Sequence, residues 1–405
     1  MAIDLRTSKE WAGLVRDHLF GHILPFWTGP ALDPEQGGWM AWLSNDLHPD
    51  RSQPKGLIVN ARILWTFSAV HRMRQEAIYR EMADLAFDFV MNRFWDGRHG
   101  GAFWRLDGDG RVLDDSKKIY GQAFTVYALA EYYQAFGTPM ALSRAVELFE
   151  LIEQHAHDPR YGGYVEVCRH DWSEAADVRL SERDMNEKKS MNNHLHVLEA
   201  YTNLYRVWKD PRLERRLREI IALFQDRIID ARTQHLHHFF DELWHIRSDT
   251  YTFGHDIEGS WLLCEAAEVL GDEPLIQQVH ALALRMAEAV FREGLDADGG
   301  LFYEGRAGRI IDRGKEWWPQ AEAVVGFLNA FQLSGEETYL DAARRVWNYT
   351  DRHLVDRVHG DWLWRINDDG LPDPTLPKVS EWKCPYHSVR TCLEVMRRLG
   401  PEGGA

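Results

Sequence analysis

Asp33-Pro-Glu-Gln-Gly-Gly-Trp39 recurs as Asp96-Gly-Arg-His-Gly-Gly-Ala-Phe103 and again as Asp158-Pro-Arg-Tyr-Gly-Gly-Tyr164. A shortened copy, Asp296-Ala-Asp-Gly-Gly-Leu-Phe302, and a weaker one, Asp356-Arg-Val-His-Gly-Asp-Trp362, lie further along, and a degenerate copy without glycine starts at Asp230. Successive Asp positions are 63, 62, 72, 66 and 60 residues apart, so six units account for nearly all 405 residues. A fixed period of this kind is the signature of a repeat architecture. Length alone suggests two or three domains; the period points instead to one catalytic domain over residues 1–405.

Each unit has the same content. An alternating, turn-rich stretch such as Trp39-Met-Ala-Trp-Leu-Ser-Asn45 reads as a small hairpin or extended loop. Two helical patterns follow. Leu195, Leu198, Thr202 and Tyr205 fall on one helical face, and a second helix runs near Pro211–Ile228 after the breaker Lys209-Asp210-Pro211. Comparable breaks are Gly137-Thr-Pro139 and Gly271-Asp-Glu-Pro274. The unpaired helices Ser8–Trp27 and Pro385–Leu399 make a sixth pair if the two ends of the chain meet. An open stack of repeats needs polar caps at both ends, and neither end reads as one. The expected fold is all-α: an (α/α)6 barrel, a toroid of six inner and six outer helices, with the Gly-rich loops at one mouth. An open helical-hairpin array is the alternative.

Composition narrows the function. The net charge is −16 and no Lys/Arg-rich run concentrates positive charge, which argues against nucleic acid as a partner. No apolar run approaches the ~20 residues of a membrane span. Met1–Glu10 is charged and lacks the apolar core of a signal peptide. The four cysteines, Cys168, Cys264, Cys384 and Cys392, contain no Cys-x-x-Cys pair and read as free thiols in a reducing cytoplasm. Trp occurs 17 times and His 19 times; where they fall is informative.

The first helix of each unit carries unusual polar residues near its start: Lys55-Gly-Leu-Ile-Val-Asn-Ala-Arg62, Ile119-Tyr-Gly-Gln122, Asn192-Asn-His-Leu-His196, Gly254-His-Asp-Ile-Glu258, Trp317-Trp-Pro-Gln-Ala-Glu322 and Trp382-Lys-Cys-Pro-Tyr-His387. Parallel inner helices would bring these six N-termini to one mouth, where their dipoles favour developing negative charge. His196, His255 and His387 occupy equivalent positions. Asn192, His196 and Glu199 share a helical face, as do His255 and Glu258. His196/Glu199 and His255/Glu258 resemble metal-ligand pairs, but no His-Glu-x-x-His occurs and no metal is expected. A glycosidase would use two carboxylates, for which Glu258, Glu322 and Asp256 are available. Imidazole both takes and gives a proton near neutral pH, which suits proton abstraction beside a carbonyl better than glycoside cleavage. Indoles stack on pyranose C–H faces. Most of the tryptophans read as packing groups, and Trp318 and Trp382, which flank the polar motifs, read as ligand contacts.

Lys55-Gly-Leu-Ile-Val-Asn-Ala-Arg-Ile-Leu-Trp-Thr-Phe67, Asn193-His-Leu-His-Val-Leu-Glu-Ala-Tyr-Thr-Asn-Leu-Tyr-Arg206, Gly254-His-Asp-Ile-Glu258, Trp317-Trp-Pro-Gln-Ala-Glu-Ala-Val-Val-Gly-Phe327 and Trp382-Lys-Cys-Pro-Tyr-His387 together resemble the cellobiose 2-epimerase branch of the N-acylglucosamine 2-epimerase superfamily, over essentially the whole chain. The resemblance implies an (α/α)6 barrel and a cofactor-independent isomerase. The reaction it implies is inversion of C2 in the reducing-end glucose or mannose unit of a β-1,4-linked disaccharide, through ring opening and a cis-enediol(ate). It implies that His255 and His387 are the acid/base pair, that His196 and Glu258 assist ring opening or position the sugar, and that Arg62 holds the C1/C2 oxygens. Tyr120, Asn192, Trp318 and Trp382 are then sugar contacts. Ser388 stands where the family pattern has Asn, and Pro319 where a residue such as Val is usual; these leave the preferred sugar open. A free-mannose 2-epimerase, an aldose–ketose isomerase and an (α/α)6 glycoside hydrolase are the alternative readings. The sequence leaves oligomeric state open.

Overall fold

The structure is a computed structural model that describes residues 8–400, so the first seven residues of the charged N-terminal stretch lie outside the described part. The chain opens with α1 (Ser8–His18), a wide helical turn and the short α2 (Leu24–Trp27). Five helix pairs follow: α3 (Leu57–Met73) with α4 (Ala77–Phe89), α5 (Ile119–Phe136) with α6 (Pro139–His155), α7 (Met191–Val207) with α8 (Pro211–Leu223), α9 (Phe253–Leu270) with α10 (Glu273–Glu293), and α11 (Trp317–Ser334) with α12 (Glu337–His353). Helix α13 (Tyr386–Leu399) ends the fold.

The two kinds of helix differ as their sequences demand. Helix α8 is amphipathic and buries only Leu213, Leu217, Ile220 and Ile221, an i, i+4, i+7, i+8 stripe. Helix α5 is buried along nearly its whole length, Ile119 to Tyr132, because neighbours pack on all sides. Helices α3, α5, α7, α9, α11 and α13 pack each on the next, and α13 packs back on α3, so the inner ring closes. Helices α4, α6, α8, α10 and α12 each cover their partner from outside, and α1 covers α13. The (α/α)6 barrel expected from the repeat is therefore the fold, and chain closure takes the place of polar caps.

Inner and outer helices join by tight turns at one end. At the other end the Gly-rich loops and short antiparallel ladders precede each inner helix. Lys55–Gly56 pairs with Arg105–Leu106, Lys117–Lys118 with Val167–Cys168, Lys189–Ser190 with Phe239–Phe240, and Lys315–Glu316 with Arg365–Ile366. Each ladder ties one repeat to the following one, and a bridge between Leu43 and Val379 ties the last to the first.

The recurrent Asp organises each loop. Asp33, Asp96, Asp158, Asp230 and Asp356 accept from the backbone N–H groups two and three residues ahead. Their second oxygen usually takes a buried lysine: Lys55 to Asp33 at 3.1 Å, Lys117 to Asp96 at 2.8 Å, Lys189 to Asp158 at 2.8 Å and Lys378 to Asp356, with Lys315 to Asp296 at 2.7 Å in the shortened copy. Four of these lysines stand two residues ahead of an inner helix, a regularity visible in the sequence that the loop signature alone does not capture. The degenerate copy keeps the turn: Gln234 holds φ +66 where Gly100 holds +72 and Gly162 +73. A side chain is unfavourable in that left-handed region, yet the N–H of Gln234 still donates to the Asp230 carbonyl at 2.8 Å. Here Tyr251 takes the place of the lysine and stacks on His235, ring centroids 3.7 Å apart. Among the described residues no helix is long and apolar enough to cross a membrane. All four cysteines are buried free thiols.

Candidate active site

The inner helices run parallel, so their N-termini and the residues of their first turns meet at the loop-covered mouth. Arg62 on α3 is buried; its Nη2 donates to Tyr120 Oη on α5 at 2.8 Å, and its guanidinium lies 4.3 Å from the Phe124 ring and 5.0 Å from the Tyr386 ring. Burial pushes the Tyr120 hydroxyl up to about 12, so it remains a neutral donor. The Tyr120 ring meets the edge of His196 at 5.0 Å. His196 Nδ1–H donates to Glu199 Oε2 at 2.9 Å, one helical turn on.

A single cation, Arg390 on α13, organises the carboxylates beneath. Its Nη1 donates to Glu199, and its Nη2 donates both to Glu258 and, at 2.7 Å, to Glu322. The Tyr386 hydroxyl also donates to Glu199. Burial drives the Glu199 carboxyl up, but Arg390, His196 and Tyr386 override it and hold it at about 2. Glu258 has less help: burial and the Glu322 charge raise it to about 7, against the pull of Arg390. Glu322 is raised by burial as well and accepts from Trp261 Nε1 at 3.1 Å.

His387 Nδ1–H donates to Glu322 Oε1 at 2.7 Å, which leaves Nε2 as the free, basic nitrogen. Among the described residues His255 has no carboxylate partner; its Nδ1 lies 2.6 Å from Thr252 Oγ1. Desolvation together with Arg62 and Arg390 holds His387 well below its ordinary value. Desolvation and the neighbouring His238, His196 and His387 do the same to His255. Both imidazoles are therefore neutral at pH 7. The Trp318 ring lies 4.7 Å from that of His255 and 5.8 Å from that of His387. Trp104, Tyr120 and Trp382 form a second aromatic wall, Trp382 standing 6.0 Å from Trp104 and 6.3 Å from Tyr120.

The contacts thus link Arg62, Tyr120, His196, Glu258, His255, Trp318, Trp382 and His387, residues drawn from all six inner repeats. Asn192 stands one turn before His196, and its Oδ1 is buried without a hydrogen-bond partner. Asp256 does not join them. Both its oxygens are taken by the loop that leads into α9, from His235 Nδ1 at 2.7 Å and the Leu236 N–H at 2.8 Å, which removes it as a candidate carboxylate. The pairing of His255 with Glu258 also gives way: they share a helix turn, but one reaches Thr252 and the other Arg390. Of the tryptophans, Trp39, Trp65, Trp104, Trp244, Trp317 and Trp362 are core residues, and Trp382 is half-buried. Sequence reasoning missed Arg390 and Tyr386. The i, i+3 spacing of His387 and Arg390 was the available signal.

Among the described residues one His/carboxylate group has metal-ligand spacing: donor atoms of Glu258, Glu322 and His387 lie within 4.8 Å of one another. Arg390 Nη2 already bonds both carboxylates of that group and supplies the positive charge there.

Residues 38–390 match the family model of N-acylglucosamine 2-epimerase (GlcNAc 2-epimerase). The chain is 44% identical over 383 residues to a cellobiose 2-epimerase of Bacteroides fragilis, covering 94% of this chain and 97% of that one. It is 37% identical to a cellobiose 2-epimerase of Dictyoglomus turgidum, covering 98% and 100%. The solved structure of the cellobiose 2-epimerase from Bacillus thermoamylovorans superposes with a TM-score of 0.92 at 38% identity, covering 96% of this chain and 99% of that one.

Proposed function

This chain is an isomerase belonging to the N-acylglucosamine 2-epimerase family, and on that premise we propose that it inverts C2 of the reducing-end glucose or mannose unit of a β-1,4-linked disaccharide such as cellobiose. The whole chain acts as one catalytic domain, since the residues assigned to the reaction come from every repeat. It requires no cofactor.

The observation that carries the reading is the pair of neutral imidazoles, His255 and His387, set against one indole beside the Arg62 cation. Trp318 and Trp382 offer faces for pyranose C–H groups. His196 and Glu258 serve ring opening: Glu258, at about 7, exists in both protonation states near neutral pH and moves a proton between ring oxygen and hydroxyl. With the aldehyde exposed, one imidazole Nε2 takes the proton from C2. The electron pair moves into a C1–C2 double bond, and the carbonyl oxygen becomes an enediolate oxyanion. Arg62, Tyr120 and the inner-helix dipoles stabilise that charge. The other imidazole, once it has taken a proton at Nε2 from solvent, gives it to the opposite face of C2, which inverts it, and the first releases its proton to solvent, so that both end neutral. Glu322 supports the imidazolium that forms on His387. A hydrolase would place two carboxylates across a glycosidic bond; here Glu258 and Glu322 bind one guanidinium nitrogen, which favours the epimerase.

Incubation with cellobiose in deuterated water tests this. The expected product has the disaccharide intact, mannose at its reducing end and deuterium at C2. His387→Ala and His255→Ala should each lower the rate by about 10²–10⁴-fold. Monosaccharide products would favour hydrolysis, and a ketose as main product would favour the isomerase. A panel with lactose, mannobiose, glucose and mannose identifies the preferred sugar.

A further inference from the structure

The two imidazoles are not supported alike. His387 and His196 each direct Nδ1 at a carboxylate, Glu322 and Glu199. His255 directs Nδ1 at a hydroxyl, that of Thr252, at 2.6 Å. A carboxylate accepts only, so it fixes the tautomer of its histidine without help. A hydroxyl donates or accepts, and its direction must be set by something else.

His238 is placed to set it. It lies in the segment between α8 and α9, with its ring edge-on to His255 at 5.9 Å. Its Nε2 accepts the backbone N–H of Thr252 at 3.2 Å and stands 3.4 Å from Thr252 Oγ1. A backbone N–H only donates, so Nε2 of His238 carries a lone pair and no proton. The Thr252 hydroxyl therefore meets no competing donor on that side, and the lone pair there is one it shares with its own backbone N–H. With its proton turned to His238, Oγ1 presents lone pairs to His255, whose Nδ1–H donates to it. Nε2 of His255, which takes no hydrogen bond from any described residue, is then the basic nitrogen.

We infer that His238, Thr252 and His255 form a relay of hydrogen bonds that fixes His255 in its Nδ1–H tautomer, making Thr252 and His238 positioning residues for proton transfer at C2. The inference rests on the reading of His255 as an acid/base group. Desolvation holds His238 at about 4, so it stays an acceptor throughout the neutral range. Thr252 has a second reason for its place: it precedes α9 directly, and its strand pairs Thr252 with Glu304, which fixes the backbone that carries the hydroxyl.

The test uses the full chain labelled with 15N-histidine, the His255 signals being identified by their loss in His255→Ala. Wild-type protein should show the proton on Nδ1 and an unprotonated Nε2. Thr252→Val should shift the proton toward Nε2 and lower kcat about 10- to 100-fold with KM changed less than about 3-fold, a fraction of what the imidazole itself contributes. Thr252→Ser, which keeps the hydroxyl, should restore both the Nδ1–H signature and most of kcat. A wild-type proton on Nε2 overturns the relay, and so does a folded valine variant with wild-type tautomer and kcat. If the valine variant fails to fold, the wild-type and serine spectra still decide. Retention of C2 exchange by His255→Ala would instead sink the acid/base reading, while leaving the tautomer result standing.

Discussion

The two mouths of the barrel are built from the same six inner helices and handle charge in opposite ways. At the far mouth, where those helices end, a cavity of about 1280 Å³ is lined by Arg72, Glu131, Arg206, Glu265, Glu394 and Arg397. There each of these arginines meets a glutamate of its own: Arg72 with Glu131 at 2.6 Å, Arg206 with Glu265 at 2.7 Å, and Arg397 with Glu394, which also takes Arg398 at 2.9 Å. At the near mouth one guanidinium, that of Arg390, is shared by Glu199, Glu258 and Glu322. Sharing one cation among three buried carboxylates spreads their proton affinities, with Glu199 at about 2 and Glu258 at about 7. A carboxylate with a cation of its own stays ionised; unequal sharing leaves groups able to move protons. A large cavity therefore does not by itself mark the chemistry, and Arg390, which also lines the far cavity, is part of the wall between the two ends.

The contrast breaks most visibly at Arg390. Arg390→Met leaves three buried carboxylates without their cation and should cost about 3–5 kcal/mol of stability, read by chemical denaturation. A variant as stable as the parent would mean the cluster is not held by that guanidinium. Stability should also depend on pH through the same carboxylates. Glu258 titrates at about 7 in the fold against an ordinary 4.5. Between those values the unfolded chain has released its proton and the native one has not, so stability falls as pH rises from 4.5 to 7. Glu199, at about 2, acts oppositely, adding stability above 4.5 that is lost as pH falls through 2. In Glu258→Gln the decline of Tm between pH 4.5 and 7 should shrink; an unchanged profile would contradict the raised carboxyl. The smallest effect belongs to the far mouth. Arg206→Ala breaks a partly exposed pair and should cost less than about 1 kcal/mol, with kcat unaltered. A large loss there would erase the distinction between the ends.

The repeat and its helix pairs are legible in the sequence, while the packing of α13 on α3 is what closes the ring. Its Asp-x-x-x-Gly period, the alternation of fully apolar and amphipathic helices and the breakers between them are local features, each legible within one repeat. Six repeats pointed to the barrel over an open array, and the position of the polar residues within each repeat pointed to the mouth, with Arg62, Tyr120, His196, His255, Glu258, Trp318, Trp382 and His387 on it. The equal spacing of Lys55, Lys117, Lys189 and Lys315 ahead of their helices was present as well, though only the structure joins each lysine to its Asp. Who partners whom depends on how the helices pack. Glu322 reaches His387 across 65 residues and Glu258 reaches Arg390 across 132, and no periodicity encodes such distances. Helical spacing grouped His255 with Glu258, yet side chains on one turn diverge when stronger partners wait on neighbouring helices. Thr252 took His255, Arg390 took Glu258, and His235 drew Asp256 out of the mouth. Local sequence sets which face a residue occupies; ring closure sets which opposing charges it meets there, and burial makes those meetings strong enough to fix each proton.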